Sequence, residues 1–269
     1  MATPEDEILL TGGGRTVVRR RGDVVIRDAG PWSPAVLALL RHLEAEGFSA
    51  APRVVGSGFD ASGRETLTFI EGEFTQPGPW SLEGAVAVAA LLRDLHRATA
   101  SFRPPAGAAW FPWHGRELGG PATVTGHCDA APWNIVARSG RPVALIDWET
   151  AGPVDPLTEL AQVCWLNAKL HDDVVAEREG LPSLADRARQ LGAMVDAYGL
   201  SARQRRGFFD RIVEFAVSDT AAEADDAGVT PELTAHPAAL WAVAWRARSA
   251  AWLLRHRGPL EAAVAAGAS

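Results

Sequence analysis

The chain has 269 residues, 47% hydrophobic and 22% charged, with Gly 26 and Pro 18, and carries a net charge of −7. That composition excludes disorder, a collagen-like repeat and a simple coiled coil, and the length allows two subdomains with large cores. The acidic balance argues against broad nucleic-acid or anionic-membrane binding and suits a cationic small substrate.

The chain opens on Met1-Ala2-Thr3-Pro4-Glu5-Asp6-Glu7, acidic where a signal peptide would be basic. Ile8-Leu9-Leu10 reads as a strand running into Gly12-Gly13-Gly14. Thr16-Val17-Val18 and Val24-Val25-Ile26, separated by Arg20-Arg21-Gly22-Asp23, read as a hairpin. Ser33-Pro34 supplies a cap and first-turn proline for a helix. Val36, Leu39, Leu40 and Leu43 give that helix one apolar face, and Gly47 ends it. Val54-Val55 and Glu65 to Ile70 complete a small β-rich lobe. The breaker-rich stretch from Glu71-Gly72 to Pro79 marks a boundary, giving an N-lobe of 1–71 and a C-lobe of 72–269.

The C-lobe reads as mainly helical. Ser81 to Ala98 has helical apolar spacing. Its run from Ala85 to Leu92, the longest apolar stretch, is far short of the ~20 residues of a membrane span. A cytoplasmic protein without a membrane partner is the expectation. Phe102 to Pro121 is a loop rich in Pro, Gly and Trp. Two short strands, Ala122 to Thr125 and Val143 to Ile146, bracket an unusual segment. Helices follow over Leu157 to Leu170, Leu184 to Tyr198, Ala202 to Asp226 and Pro237 to His256. Cys128 and Cys164 are the two cysteines, too few for a disulfide framework or a Cys-rich zinc site.

The segment that carries chemistry is Gly126-His127-Cys128-Asp129-Ala130-Ala131-Pro132-Trp133-Asn134, followed by Leu145-Ile146-Asp147-Trp148-Glu149. Asp129, then Asn134 five residues on, then Asp147 after a β-hairpin would bring three oxygens to one edge. Phosphoryl transfer from a magnesium nucleotide needs these groups: a carboxylate to orient the attacking hydroxyl and take its proton, and an amide oxygen with a second carboxylate to hold Mg²⁺.

These residues resemble the aminoglycoside phosphotransferase family, a branch of the protein-kinase-like fold. Its pattern is His-Gly-Asp-x-x-x-x-Asn, then an Ile-Asp stretch reaching Gly-x-x-Asp-Pro. Here the pattern is His127-Cys128-Asp129 to Asn134, then Ile146-Asp147 to Gly152-Pro153-Val154-Asp155-Pro156, with Glu159-Leu160-Ala161 for the family's Asp-Leu-Ala. The resemblance implies an α+β fold of two lobes, a small β-rich N-lobe and a larger, mainly helical C-lobe. It implies Asp129 as catalytic base, Asn134 and Asp147 as Mg²⁺ ligands, and His127 and Asp155 as structural groups beside the site. ATP or GTP would be co-substrate, under Gly12-Gly13-Gly14 and against a hinge at Phe69-Ile70-Glu71. The acceptor would be a small-molecule hydroxyl, with an antibiotic as the leading expectation and a choline-, sugar- or amino-alcohol-like metabolite close behind. A non-catalytic binding or immunity protein that keeps this fold is the competing class.

The pattern departs from the family in the N-lobe. The phosphate-gripping lysine is missing, because Lys169 is the sole lysine and Arg27 stands at the end of the third strand. The helix offers apolar residues around Val36 in place of the partner glutamate, so Arg27 has no evident acidic partner. Arginine binds phosphate in a bidentate way but does not fit a lysine's hole. On the acceptor side, Asp219, Glu223 and Asp226 share one helical stripe that would suit a cation. Trp110 and Trp113 would wall the cleft, while Trp241 and Trp245, one turn apart, read as core.

Overall fold

Short strands with β-branched residues and a single apolar helix dictate a sheet-plus-helix lobe, and the chain builds one. The structure, a computed structural model, describes residues 7–10, 17–232 and 236–266. Strands β1 (Ile8–Leu10), β2 (Val18–Arg21), β3 (Val24–Arg27), β4 (Val54–Phe59) and β5 (Glu65–Thr68) form an antiparallel sheet of order β1-β2-β3-β5-β4. Gly22, at φ +56°, supplies the left-handed residue of the β2–β3 turn. In the β3–β5 register the last residue of β3 faces the first of β5, Arg27 opposite Glu65. The glycines at 12, 13 and 14, expected to cover the nucleotide, lie outside the described residues.

Helix α1 (Ser33–Ala45) buries Val36, Leu39, Leu40 and Leu43 completely. Ser33 is not its cap but its first residue: Trp32 occupies the cap position, and the Ser33 hydroxyl accepts from the Gly30 amide (2.9 Å). The apolar face of α1 brings no acid to the cleft.

The C-lobe holds α2 (Leu82–Thr99), α3 (Pro156–Asn167), α4 (Asp173–Glu179), α5 (Leu184–Tyr198), α6 (Ala202–Arg205), α7 (Phe208–Asp226), α8 (Pro237–Arg255) and α9 (Arg257–Ala265). Helix α3 is buried from Thr158 to Asn167 and forms the lobe's centre. The expected helix from Ala202 to Asp226 is two helices, because Gly207 adopts φ +77° and breaks it. Among the described residues no helix is long and apolar enough to cross a membrane.

Two small ribbons frame the chemistry. Strand β6 (Val124–Gly126) pairs with β9 (Gly152–Val154), and β7 (Ile135–Arg138) pairs with β8 (Arg141–Leu145). The two strands read from sequence therefore belong to different ribbons, each with a three- or four-residue partner too short for alternation to reveal. The hairpin between Asn134 and Asp147 is β7–β8.

Candidate active site

The loop from Gly126 to Asn134 leaves β6, passes over a buried carboxylate and enters β7 through a 3₁₀ turn at Pro132–Asn134. Its backbone is fixed by His127, which is fully buried. The Asp129 amide donates to His127 Nδ1 (3.2 Å), so Nε2 carries the proton and donates to the Ile146 carbonyl (2.9 Å). Burial holds the His127 pKa below the ordinary histidine range, as this neutral tautomer requires. The Ile146 amide in turn donates to the Asn134 carbonyl (2.9 Å). One backbone unit thus ties the strand end before Asp147 to both ends of the loop.

Two of the three expected groups meet around that tie, and the third, Asp147, follows the tied Ile146 in sequence. Asn134 donates its amide nitrogen to the Asp129 carbonyl (3.0 Å) and carboxylate (2.8 Å). With the nitrogen so engaged, Oδ1 is the Asn134 atom left to bind a cation. Asp147 sits at φ +61°, a conformation aspartate tolerates better than most residues, and its side chain is 44% exposed. An amide oxygen plus one exposed carboxylate fits Mg²⁺, which takes one or two protein ligands and completes its shell with phosphates and water.

Arg27 is where the sequence expectation needs correcting. It has two acidic partners: Nε donates to Glu65 (2.5 Å) and Nη1 to Asp147 (2.8 Å), with only 6% of the side chain exposed. Burial opposes its charge, but Glu65 and Asp147 outweigh that and raise its pKa above the ordinary value. Its Nη2 is buried without a hydrogen-bond partner. The Glu65 Oε1 is buried and unpaired as well, so the pair is held through Nε alone while Nη1 reaches the exposed Asp147 carboxylate. Glu65 was missed because its partner is 38 residues away in sequence. The signal was available in the antiparallel hairpin logic that sets the end of one strand against the start of the next.

Beneath the loop lies the first residue of the Glu159-Leu160-Ala161 stretch, to which the sequence reading gave no role. Glu159 is fully buried; it accepts from the Cys128 amide (2.7 Å) and contacts His96 Nε2 (2.8 Å). His96 Nδ1 meets the Tyr198 hydroxyl (2.7 Å). Burial pushes the Glu159 pKa up, but His96 and the Cys128 amide prevail and hold it below the ordinary value. Cys128, at φ +63°, occupies a left-handed position where the family pattern has glycine, and that turn aims its amide at Glu159. Burial raises the Cys128 thiol well above its usual range, so it is no thiolate nucleophile. Thr150 donates to the His127 carbonyl (3.1 Å), and Arg116 donates to the Thr150 (2.6 Å) and Ala151 (3.0 Å) carbonyls. Asp155 caps α3 through the Leu157 amide (3.0 Å) and also takes the Gly120 amide (2.7 Å) and Arg211 (2.5 Å).

The remaining expected residues are dispersed. At the hinge, the Phe69 amide donates to the Asp23 carbonyl (2.7 Å), and the Glu71 carbonyl accepts from Arg138 (3.1 Å). Ile70, between them, is partly buried. The acidic stripe on α7 faces α8: Arg246 pairs with Asp219 (2.7 Å) and Glu223 (3.0 Å), while Asp226 lies on the His114 side. One arginine offsets part of the stripe's three negative charges, and Asp226 at its end is exposed. Trp113 packs inward on Phe215 (5.9 Å), and Trp110 rests partly buried against the core. Trp241 and Trp245, read as core, are both partly buried and line a cavity, and Trp245 packs against the core.

Residues 106–209 match the model of the phosphotransferase enzyme family. The chain is 61% identical over 261 residues to a trifolitoxin immunity protein of Rhizobium leguminosarum bv. trifolii, covering 97% of this chain and 99% of that one. Its fold is similar to that of a choline/ethanolamine kinase family protein from Mesorhizobium loti, with 19% identity, TM-score 0.57, and coverage of 97% and 92% of the two chains. It is also similar to the ADP-bound aminoglycoside phosphotransferase APH(2'')-Ib, with 14% identity, TM-score 0.55, and coverage of 92% and 94%.

Proposed function

The chain belongs to the phosphotransferase enzyme family, and from that premise we propose that it moves the γ-phosphate of ATP or GTP to a hydroxyl of a small molecule. The observation that carries this reading is the orientation of Asn134. Its amide nitrogen is spent on Asp129, which leaves its oxygen and the Asp147 carboxylate as a two-ligand set for Mg²⁺. When bound, the ion supplies positive charge to the nucleotide phosphates. Asp129 orients the acceptor hydroxyl and takes its proton as the oxygen attacks phosphorus. Arg27, held against Asp147 through Nη1, brings its positive charge to the phosphates. Given the name of the 61%-identical relative, the acceptor is a toxic compound that phosphorylation disarms.

A second reading, sequestration of a toxin without chemistry, has the same relative's name in its favour. Incubating the chain with ATP or GTP, Mg²⁺ and hydroxyl-bearing compounds, and following ³¹P product signals, separates the two. Phosphorylated product with released ADP or GDP supports transfer. Protection of a host by a variant that makes no product supports sequestration.

Two sets of variants test the ligand assignments. Asp147→Ala is expected to abolish Mg²⁺-dependent nucleotide binding, and Asn134→Ala to weaken it. Equal nucleotide affinity of the native chain with and without Mg²⁺, by calorimetry, would overturn both. Arg27→Ala removes a charge-assisted contact worth ~1.5–3 kcal/mol and should weaken nucleotide binding roughly 10- to 100-fold. It also strands the buried Glu65, so Arg27→Ala with Glu65→Gln is the variant that keeps the fold comparable. Arg27→Lys retains the charge but not both forked contacts, and should recover part of the loss. An unchanged affinity in the double variant would mean that Arg27 holds Asp147 and never touches the nucleotide.

A further inference from the structure

Beside the catalytic loop the C-lobe encloses a cavity of about 310 Å³ that the machinery above does not use. Trp133 opens onto it from the 3₁₀ turn between Asp129 and Asn134, so the cavity reaches the loop that carries the proposed base. Trp241 and Trp245, one turn apart on α8, form the opposite wall. Trp245 is held rigidly: it stacks on the buried Trp165 (5.6 Å, 27°) and meets His171 edge-on (5.1 Å, 81°). Three indoles around one space of this size favour a flat guest, because ring faces reward stacking more than a puckered, heavily hydrated surface.

The charges around the indoles set the second requirement. Arg246 lies over the Trp245 ring at 4.5 Å, and Arg178 and Arg248 approach Trp241 at 5.7 Å and 5.9 Å. The aromatic faces already attract the chain's own cations. Lys169, almost fully buried, lines the cavity and donates to Gln76 and to the Pro77 carbonyl (2.9 Å). Glu179, the carboxylate on the wall, is engaged by Lys169 (3.4 Å). His171 adds no counter-charge; burial lowers its pKa to about 3, so it is neutral. The lining's charges are already paired, Lys169 with Glu179 and Arg246 with Asp219 and Glu223, so a guest carrying a net charge of either sign would find no uncommitted partner there.

We propose, resting on the phosphotransferase reading above, that this cavity seats the acceptor and selects a flat, uncharged aromatic or conjugated hydroxyl compound. Three probes share one ring and a hydroxyl and differ in charge: tryptophol is neutral, indole-3-lactate anionic and tryptophanol cationic. Saturation-transfer NMR and calorimetry without nucleotide should show tryptophol binding roughly tenfold or more tighter than either charged probe. Trp241→Ala should weaken tryptophol binding by roughly tenfold, and Trp241→Phe should restore most of that, with unchanged circular dichroism. Either charged probe binding tightest, no saturable binding of any probe, or Trp241→Ala binding like the native chain would each overturn the pocket assignment. Ring probes that bind through Trp241 while no compound is ever phosphorylated would sink the phosphotransferase reading and leave the pocket standing. Phosphorylation of a cationic acceptor at a rate indifferent to Trp241→Ala would do the reverse.

Discussion

Asp129→Asn is expected to lower phosphoryl transfer by about 10²–10⁴-fold, the contribution of a positioned proton acceptor. Nucleotide affinity and unfolding temperature should stay close to native, because the substituted amide keeps an oxygen to accept from Asn134 Nδ2, and the backbone carbonyl bond is untouched. The readout is single-turnover product formation beside calorimetry with a non-hydrolysable nucleotide. Transfer within about tenfold of native would remove Asp129 from the role of base. The same variant bears on protection. A host that survives as well with Asp129→Asn as with the native chain is being guarded by binding alone.

Glu159→Ala should cost about 1–3 kcal/mol of stability for each of the two buried hydrogen-bond partners it leaves unsatisfied. The carboxylate has no exposed surface, and its loss strands His96 and the Cys128 amide together. Glu159→Gln keeps the shape and should lose less. The pH dependence follows from three buried groups whose folded pKa values are all depressed. For Glu159 the unfolded chain binds a proton more readily than the folded one, so its contribution is present above an unfolded pKa of about 4.3 and is lost as pH falls through the lower folded value. His127 and His171 are held neutral, so the unfolded chain takes up their protons first; stability declines as pH drops below about 6.5, for His171 until about pH 3. Denaturant unfolding between pH 7 and 4 should therefore show stability falling in native and Glu159→Gln chains alike. A loss confined to the native chain would mean the histidines carry none of it.

The catalytic loop was legible because its chemistry is local. Asp129, Asn134 and Asp147 lie in one stretch of sequence, and a short hairpin is enough to assemble them. Helix α1 was equally legible, since Val36, Leu39, Leu40 and Leu43 repeat at helical spacing. What escaped is what distant pairing creates. Glu65 meets Arg27 only once β3 and β5 align, and Glu159 meets His96 across 63 residues. Strands β7 and β9 span four and three residues, below the length at which alternation is distinctive. Trp241 and Trp245 carry the spacing of a core stripe, and that spacing does not say whether a cavity lies on the other side.

The cross-strand pairing of Arg27 with Glu65 has a consequence for control. In protein kinases the phosphate-gripping residue is held by an acid on a mobile helix, and positioning that helix turns activity on and off. Here both members of the ion pair belong to adjacent strands of one sheet, joined by backbone hydrogen bonds. Helix α1 contributes no charge to it, so tilting α1 cannot unclasp the arginine. On the phosphotransferase reading proposed above, the arginine is clasped whenever the lobe is folded and takes no control from α1.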